Sequence, residues 1–416
     1  MKGILIFIVV FGLLVFVHEF GHFTVAKWSG VLVREFSIGM GPKLFQVRKS
    51  QTTYTIRWLP LGGYVRLAGK DDQSELSPGM MVILELSDNG IVTRIDASGS
   101  DLPIEGIPVQ VSKADLVDDL IIEGYENGNE SKKVTYSVDH DATIIDESGT
   151  ELQIAPRDTQ FQEANVWKKL ATNFAGPFMN IVLGFVVFMI WSLSVVGPAT
   201  TTVAKVTENS PAQVAKIKSN DEIIAVNHQH VDNFEEISNA IGSSKGKTLI
   251  FTVKRSGKSH QIKVTPEYSK NTKSYLIGIQ AKTDDSVGSK VKRGWTSAVE
   301  TTGMIFNAVG ELFRHFSLNK LSGPVGIYSE TSQVSQLGFT YILEFLAMIS
   351  INLGIVNLIP IPGLDGGKVL LNLIEIVRGK PISEDHEAIV DLAGVILLLV
   401  LIVAVTGNDI YRYFIK

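Results

Sequence analysis

Four stretches of the chain carry almost no charge, and polar residues gather between them. The first runs from Gly3 to Val17 with no charged residue and continues through His18, Glu19 and His22 to Ala26. The second, Leu170 to Ala204, also has none, and its core from Phe174 to Val196 is 23 residues long. A helix of that length spans the ~30 Å hydrocarbon core of a bilayer. The third, Thr331 to Leu364, holds one charge, Glu344, and the fourth, Ala388 to Asn408, holds one, Asp391. The pattern predicts four transmembrane helices. A signal peptide explains the first run less well, because no small-residue cleavage site follows it and the apolar core continues into His-Glu-Phe-Gly-His.

Between the runs the period changes. Residues 30–70, VLVREFSIGMGPKLFQV and then YTIRWLPLGGYVRLAG, alternate apolar and polar positions around glycines 39, 41, 62 and 63. That is the signature of β-hairpins. The segment is amphipathic and directly follows a membrane helix, so it is expected to associate with the membrane while packed on other parts of the protein. Residues 71–165 are acidic and β-leaning, with VTYSVDHDATIID as the best strand pair. Residues 200–268 read as a compact domain. Ser210-Pro211-Ala212 turns into a short helix, 221–227 is a strand, and Phe234, Ile237 and Ile241 fall at helical spacing. TLIFTVKR and HQIKVTP pair across Ser256-Gly257. Residues 295–316 put Ala298, Met304 or Ile305, Val309, Leu312 and Phe316 on one side of a helix, either lying on the membrane surface or packed as an ordinary amphipathic helix.

Composition agrees with a membrane protein. Of 416 residues, 45% are apolar and only 19% charged, against about 25% charged in ordinary soluble domains. Lys+Arg 38 against Asp+Glu 43 gives a net charge of −5, which offers no basic surface for nucleic acid. There is no cysteine, so disulfides, thiol nucleophiles, cysteine-ligated zinc and iron–sulfur clusters are excluded. Basic residues near the helix ends set the orientation. Lys27 and Arg34 follow the first helix, Lys168 and Lys169 precede the second, and Lys368, Arg378 and Lys380 lie between the third and fourth. Arg412 and Lys416 after the fourth count weakly the other way. The balance puts both termini outside, residues 27–169 and the third-to-fourth connection in the cytoplasm, and residues 198–336 on the extracytoplasmic side.

The candidate chemistry lies inside the apolar runs. His18-Glu19-Phe20-Gly21-His22 is an H-E-x-x-H motif. On a helix its two imidazoles are about 40° apart and share one face, where they can grip one ion. Glu19, one position round, can take the proton of a water that zinc acidifies. Ionisable groups cost about 2.5–3.5 kcal/mol each in a membrane helix, and three within five residues call for a compensating role. The third zinc ligand is expected at Asp365, in Asn357-Leu358-Ile359-Pro360-Ile361-Pro362-Gly363-Leu364-Asp365-Gly366-Gly367. Pro360 and Pro362 break the third helix and free backbone groups that are tolerated only where they line a protein cavity. By the orientation above, Asp365 and the histidines lie at the same cytoplasmic-side depth. Two imidazoles and one carboxylate leave a tetrahedral position open, the catalytic arrangement. His140, His228, His230, His260, His315 and His386 read as solvated, and Gly176-Pro177 with Asn180 reads as helix packing.

With these motifs in place, the chain resembles the site-2 protease family of intramembrane zinc metalloproteases. HEFGH, GPFMN opening the second helix, a PDZ-like domain and NLIPIPGLDGG carry the likeness, with FSIGMGP, LPLGGYV, SGPVGI and SINLGIVN in support. The likeness covers nearly the whole chain and points to the bacterial RseP/RasP-type regulated intramembrane proteases with one PDZ domain. The resemblance implies hydrolysis within or near the transmembrane segments of pre-trimmed single-span proteins, such as anti-sigma factors and signal-peptide remnants. It implies zinc on His18, His22 and Asp365, Glu19 as catalytic base and Asn357 as a substrate-orienting residue. Pro360 and Pro362 stand beside these as candidate substrate-binding positions, through the backbone they leave unpaired. The PDZ turns depart from the usual pattern, with Ile217-Lys218-Ser219-Asn220 where Gly-Leu-x-x-Gly is common. Two other readings compete: a catalytically inert membrane-anchored PDZ scaffold would not need Glu19 or Asp365, and a metal transporter would show repeated halves with matching broken helices, whereas nothing repeats HEFGH.

The expected fold is a polytopic α-helical membrane protein in a bacterial cell membrane, with a membrane-associated β-hairpin segment and an extracytoplasmic PDZ-like α+β domain. The first transmembrane helix occupies 1–26 and the β segment 27–70. A cytoplasmic β-leaning region covers 71–169, and the second helix 170–197. The PDZ-like domain covers 198–270 and a linker with an amphipathic helix 271–336. The third helix and its following segment cover 337–380, and the fourth helix 388–408. The lipid bilayer and single-span substrates are the expected partners, with no nucleic acid.

Overall fold

A computed structural model describes residues 2–69, 76–99, 106–129, 131–146 and 149–412. The expected boundary at 70/71, and Lys416 of the charge balance, lie outside these. Four described helices are long and apolar enough to cross a membrane: Gly3–Trp28, Val166–Ser194, Phe339–Asn357 and Asp385–Ile410. The chain divides into two compact units, Met1–Gly184 with Thr302–Lys416, and Phe185–Thr301.

The first unit begins with α1 (Lys2–Trp28), followed by β1 (Val33–Lys49) and β2 (Thr52–Leu67). These two long strands bend back on themselves. Residues 43–49 pair with 52–57, while 33–38 lie between 53–56 on one side and 63–67 on the other. Positive φ at Gly39, Gly41 and Gly62 permits the bends. The far end of this sheet, residues 40–51, is exposed throughout and presents Met40, Leu44, Phe45 and Val47, with Trp58 and Leu59 opposite.

Next come β3 (Met81–Leu86), β4 (Val92–Asp96), β5 (Ile107–Asp115), β6 (Ile121–Glu126), β7 (Lys133–Ile145) and β8 (Glu151–Gln153). In the sheet order β4-β3-β5-β6-β7-β8, strands β4 to β7 close into a ring because β4 also pairs β7 in parallel, and the short β8 adds to β7 beside it. Closure removes the free edges that an open sheet would expose. Val82, Leu84, Ile95, Val109 and Ile122 fill its interior. The expected strand pair in VTYSVDHDATIID is instead the single strand β7. Its first half pairs β6, its second half pairs β4 and β8, and the polar Asp139-His140-Asp141 marks the change of partner rather than a turn. The His140 ring there reaches Asp158 and Asp141 at 3.1 Å each. The next span, α2, covers Val166–Ser194.

The second unit carries β9 (Ala199–Val206), α3 (Pro211–Val214), β10 (Glu222–Val226), β11 (Gln229–His230) and α4 (Phe234–Ser243). After them come β12 (Leu249–Arg255), β13 (Lys258–Val264), β14 (Glu267–Ser269), β15 (Ser274–Leu276) and β16 (Ile279–Thr283). The main sheet runs β13-β12-β10-β9-β16 over a core that includes Ile223, Ile237, Phe251 and Ile277. Its last strand therefore lies beyond the expected limit at 270. Ser210 caps α3, and Asn233 and Glu236 exchange bonds of 2.9 Å at the start of α4. The turn that departs from the glycine pattern still forms, with Lys216 and Asn220 in the left-handed region. Asp221, fully buried, holds that turn through Lys218 N–H at 2.8 Å and grips Arg255 at 2.6 Å. Burial opposes charge on Asp221, and the Arg255 and Lys218 bonds more than offset it, keeping the carboxyl below its usual range.

Helix α5 (Val287–Arg314) leads back to the first unit, which ends with α6 (Pro324–Leu337), α7 (Phe339–Asn357), α8 (Asp365–Arg378) and α9 (Glu384–Ile410). The third apolar run is thus not one helix. Gly338, at φ 117°, separates α6 from α7, and residues 358–364 form turns before α8. The N-terminus of α6 is capped from α9: Gly323 and Gly326 N–H donate to the buried Asp409 carboxylate at 2.8 and 2.9 Å. This contact satisfies two of the orphan donors of the helix start, where Pro324 itself has no N–H to offer.

Candidate metal centre

Three elements converge on the HEFGH segment. Helix α1 carries His18 and His22 on one face, their rings 4.9 Å apart and nearly perpendicular. Asp365 opens α8 immediately after the turns that contain Pro360 and Pro362. Its neighbours Gly366 and Gly367 let the first turn of α8 lie against the backbone of 358–362, where any Cβ would collide with those carbonyls. The glycine pair is what allows the aspartate to return to α1.

The donor atoms form a small triangle. His18 Nε2 lies 3.1 Å from Asp365 Oδ2, His22 Nε2 lies 3.5 Å from the same oxygen, and the two Nε2 atoms are 3.3 Å apart. Zinc bonded tetrahedrally to nitrogen and oxygen at about 2.0–2.1 Å has ligand atoms about 3.3 Å from one another. Donor type and spacing therefore fit zinc. Among the described residues, His18, His22 and Asp365 are the only group of three or more His, Cys, Asp or Glu so arranged.

Glu19 is buried at 9% exposure beside this triangle. Gly63 of β2 lies so close that a Cβ there would stand 2.8 Å from Glu19 Cγ. The inner end of the sheet is thus packed directly on the acid. Asn357 ends α7, half-buried; Pro360 is exposed and Pro362 half-buried in the turns leading to Asp365.

Helix α2 contributes what the sequence reading assigned to helix packing. His22 Nδ1–H donates to the Thr172 carbonyl at 2.7 Å. Gly176 lies against the same imidazole, leaving no room for a side chain. The Asn180 amide stands 3.2 Å from His18 Nδ1. The helix is held by both neighbours: Ser350 of α7 donates to the Asn180 carbonyl at 2.7 Å, and Asn173 donates to Asn372 of α8 at 2.9 Å. The sequence signals were an asparagine inside a charge-free span and the adjacent Gly-Pro.

The family model for peptidase family M50 matches residues 6–401. The chain belongs to peptidase family M50. Over their full lengths, this M50 chain is 46% identical to a protein named as protease Eep in Enterococcus faecalis and 46% identical to one named as a zinc metalloprotease in Streptococcus pyogenes serotype M3. It covers 100% of each, and each covers 100% of it. Among solved structures, the PDZ domain of an SdrC-like protein from Listeria innocua matches 21% of the chain and 96% of its own length, at 22% identity and a TM-score of 0.19. The M50 chain is accordingly a zinc metalloprotease of the site-2 protease type, with four helices among the described residues apolar enough to cross a membrane.

Proposed function

We propose that this protease works within a bacterial cell membrane as a multi-pass protein. It hydrolyses peptide bonds in or beside the transmembrane segments of single-span proteins that another cleavage has already trimmed, anti-sigma factors and signal-peptide remnants among them. The observation that carries this reading is the convergence of His18, His22 and Asp365 between segments otherwise built of apolar residues. These three residues hold the metal. Zinc when bound supplies Lewis acidity to water and to the scissile carbonyl. Glu19 takes the proton from the attacking water and passes it to the leaving amine. Burial against Gly63 keeps its carboxylate from swinging away.

A helical substrate bond is blocked by its own i+4 hydrogen bond, so the segment must be drawn out before attack. Residues 63–67 of the sheet pair with 33–38 on one side, and among the described residues no strand covers the other. A locally extended substrate adds to that edge, with Asn357 and the turns around Pro360 and Pro362 orienting its backbone. The apolar far end of the sheet dips into lipid. Exposed Trp28, Trp58 and Trp167 suit the membrane–water boundary.

The orientation puts residues 71–169 inside the cell and the PDZ-like unit outside, where it holds back substrates with bulky ectodomains. The chain has no cysteine, so single cysteines report topology directly. A cysteine at position 230 is expected to react with an impermeant reagent on intact cells and one at 140 to be protected; the reverse pattern would overturn the orientation. Removing residues 199–283, the observed extent of the domain, is expected to let untrimmed substrate be cut while trimmed substrate is cut as before. If the untrimmed substrate stays intact in the deletion strain while the trimmed one is still cleaved, the filtering role is wrong.

A further inference from the structure

For His18 and His22 to ligate a metal in the space they share with Asp365, both Nε2 atoms must be unprotonated. In a neutral imidazole the proton then sits on Nδ1, and a hydrogen-bond acceptor opposite Nδ1 holds it there. His22 has that acceptor, the Thr172 carbonyl at 2.7 Å, which can only accept. His18 faces the Asn180 side chain, with amide nitrogen 3.2 Å from Nδ1. A nitrogen donor there would favour the opposite tautomer, with the proton on Nε2. The same half-turn that exchanges the two amide ends presents Oδ1 to Nδ1–H instead. Asn180 Oδ1 has no partner among the described residues where it stands, and the residue is fully buried. Nothing therefore ties the oxygen to its place.

We propose that Asn180 is a positioning residue that fixes the tautomer of His18 by accepting its Nδ1–H, as the Thr172 carbonyl does for His22. The inference rests on His18 and His22 holding the metal. On this account α2 presets both imidazoles from residues spaced two helical turns apart. The Ser350 bond to the Asn180 backbone, at 2.7 Å and fully buried, holds that helix position against α7. Outer partners of this kind raise metal affinity by about 10–100-fold.

The test compares two substitutions in the full-length protein, with zinc affinity measured by competition against a chelator. Asn180→Asp keeps an oxygen acceptor at the cost of a buried charge, whereas Asn180→Leu keeps the branched outline, somewhat larger, and removes the acceptor. A tautomer-fixing role predicts weakening of about 10–100-fold for Asn180→Leu and affinity within a few-fold of wild type for Asn180→Asp. A packing role predicts the reverse order, because an apolar bundle accepts leucine and penalises the added charge. Zinc affinity unchanged in Asn180→Leu, or lower in Asn180→Asp than in Asn180→Leu, would overturn the proposal. His22→Ala measured alongside separates the two readings: if it still binds zinc like wild type, the metal-site assignment itself has failed. If His22→Ala loses zinc and Asn180→Leu keeps it, only the role of Asn180 has failed.

Discussion

Glu19→Gln is expected to lower peptide hydrolysis by about 10²–10⁴-fold, the range typical for loss of a general base, and to leave zinc bound. Glutamine matches glutamate in size but cannot take a proton from water at neutral pH. The side chain lies outside the triangle of His18, His22 and Asp365, so the metal donors are untouched. It is also packed against Gly63, and an isosteric replacement keeps that contact. The check is a turnover assay on purified protein with zinc content measured on the same sample. Wild-type turnover would remove Glu19 from the chemistry, and loss of zinc together with activity would make it a ligand or a structural support instead.

The second large effect is on the metal. His22→Ala and Asp365→Asn are each expected to strip most of the zinc from the protein. His22→Ala removes one of three donors that lie 3.1–3.5 Å apart and leaves two, short of the three protein ligands usual for a catalytic zinc. Asparagine at 365 keeps an oxygen but loses the charge that two neutral imidazoles do not supply. Neither change alters the glycine pair that seats α8 on residues 358–362, so the fold should persist. Metal analysis after purification decides the matter, and unchanged zinc in both variants would rule out the site.

The readable parts of this molecule were those that depend on local spacing. Two histidines four apart on a helix must share a face, and uninterrupted apolar runs name their own helices. Asp365 was legible because prolines at 360 and 362 must interrupt a membrane helix. The Ser256-Gly257 hairpin formed as expected, both residues taking positive φ. What escaped depends on distant parts of the chain. Closure of the ring by parallel pairing of β4 with β7 joins residues about fifty apart and has no local mark. VTYSVDHDATIID, expected as a strand pair, is one strand because the polarity at its centre serves side-chain contacts, His140 to Asp158 and Asp141 to Gln153. The Thr172 carbonyl has no residue signature at all, and Asn180 declared itself only as a polar group without an evident task. Gly338 split the third apolar run at a place where hydropathy alone sees continuity.

The most direct test of the account is to map the cut. Purified protein is placed in lipid vesicles with a trimmed single-span substrate, and the new termini are read by mass spectrometry, beside the same reaction with Glu19→Gln. Intramembrane cleavage with Glu19 as base gives termini inside or at the edge of the substrate's apolar segment with the wild type, and none with the variant. Cuts confined to the polar segments well outside the membrane, or the same cuts from both proteins, would contradict it.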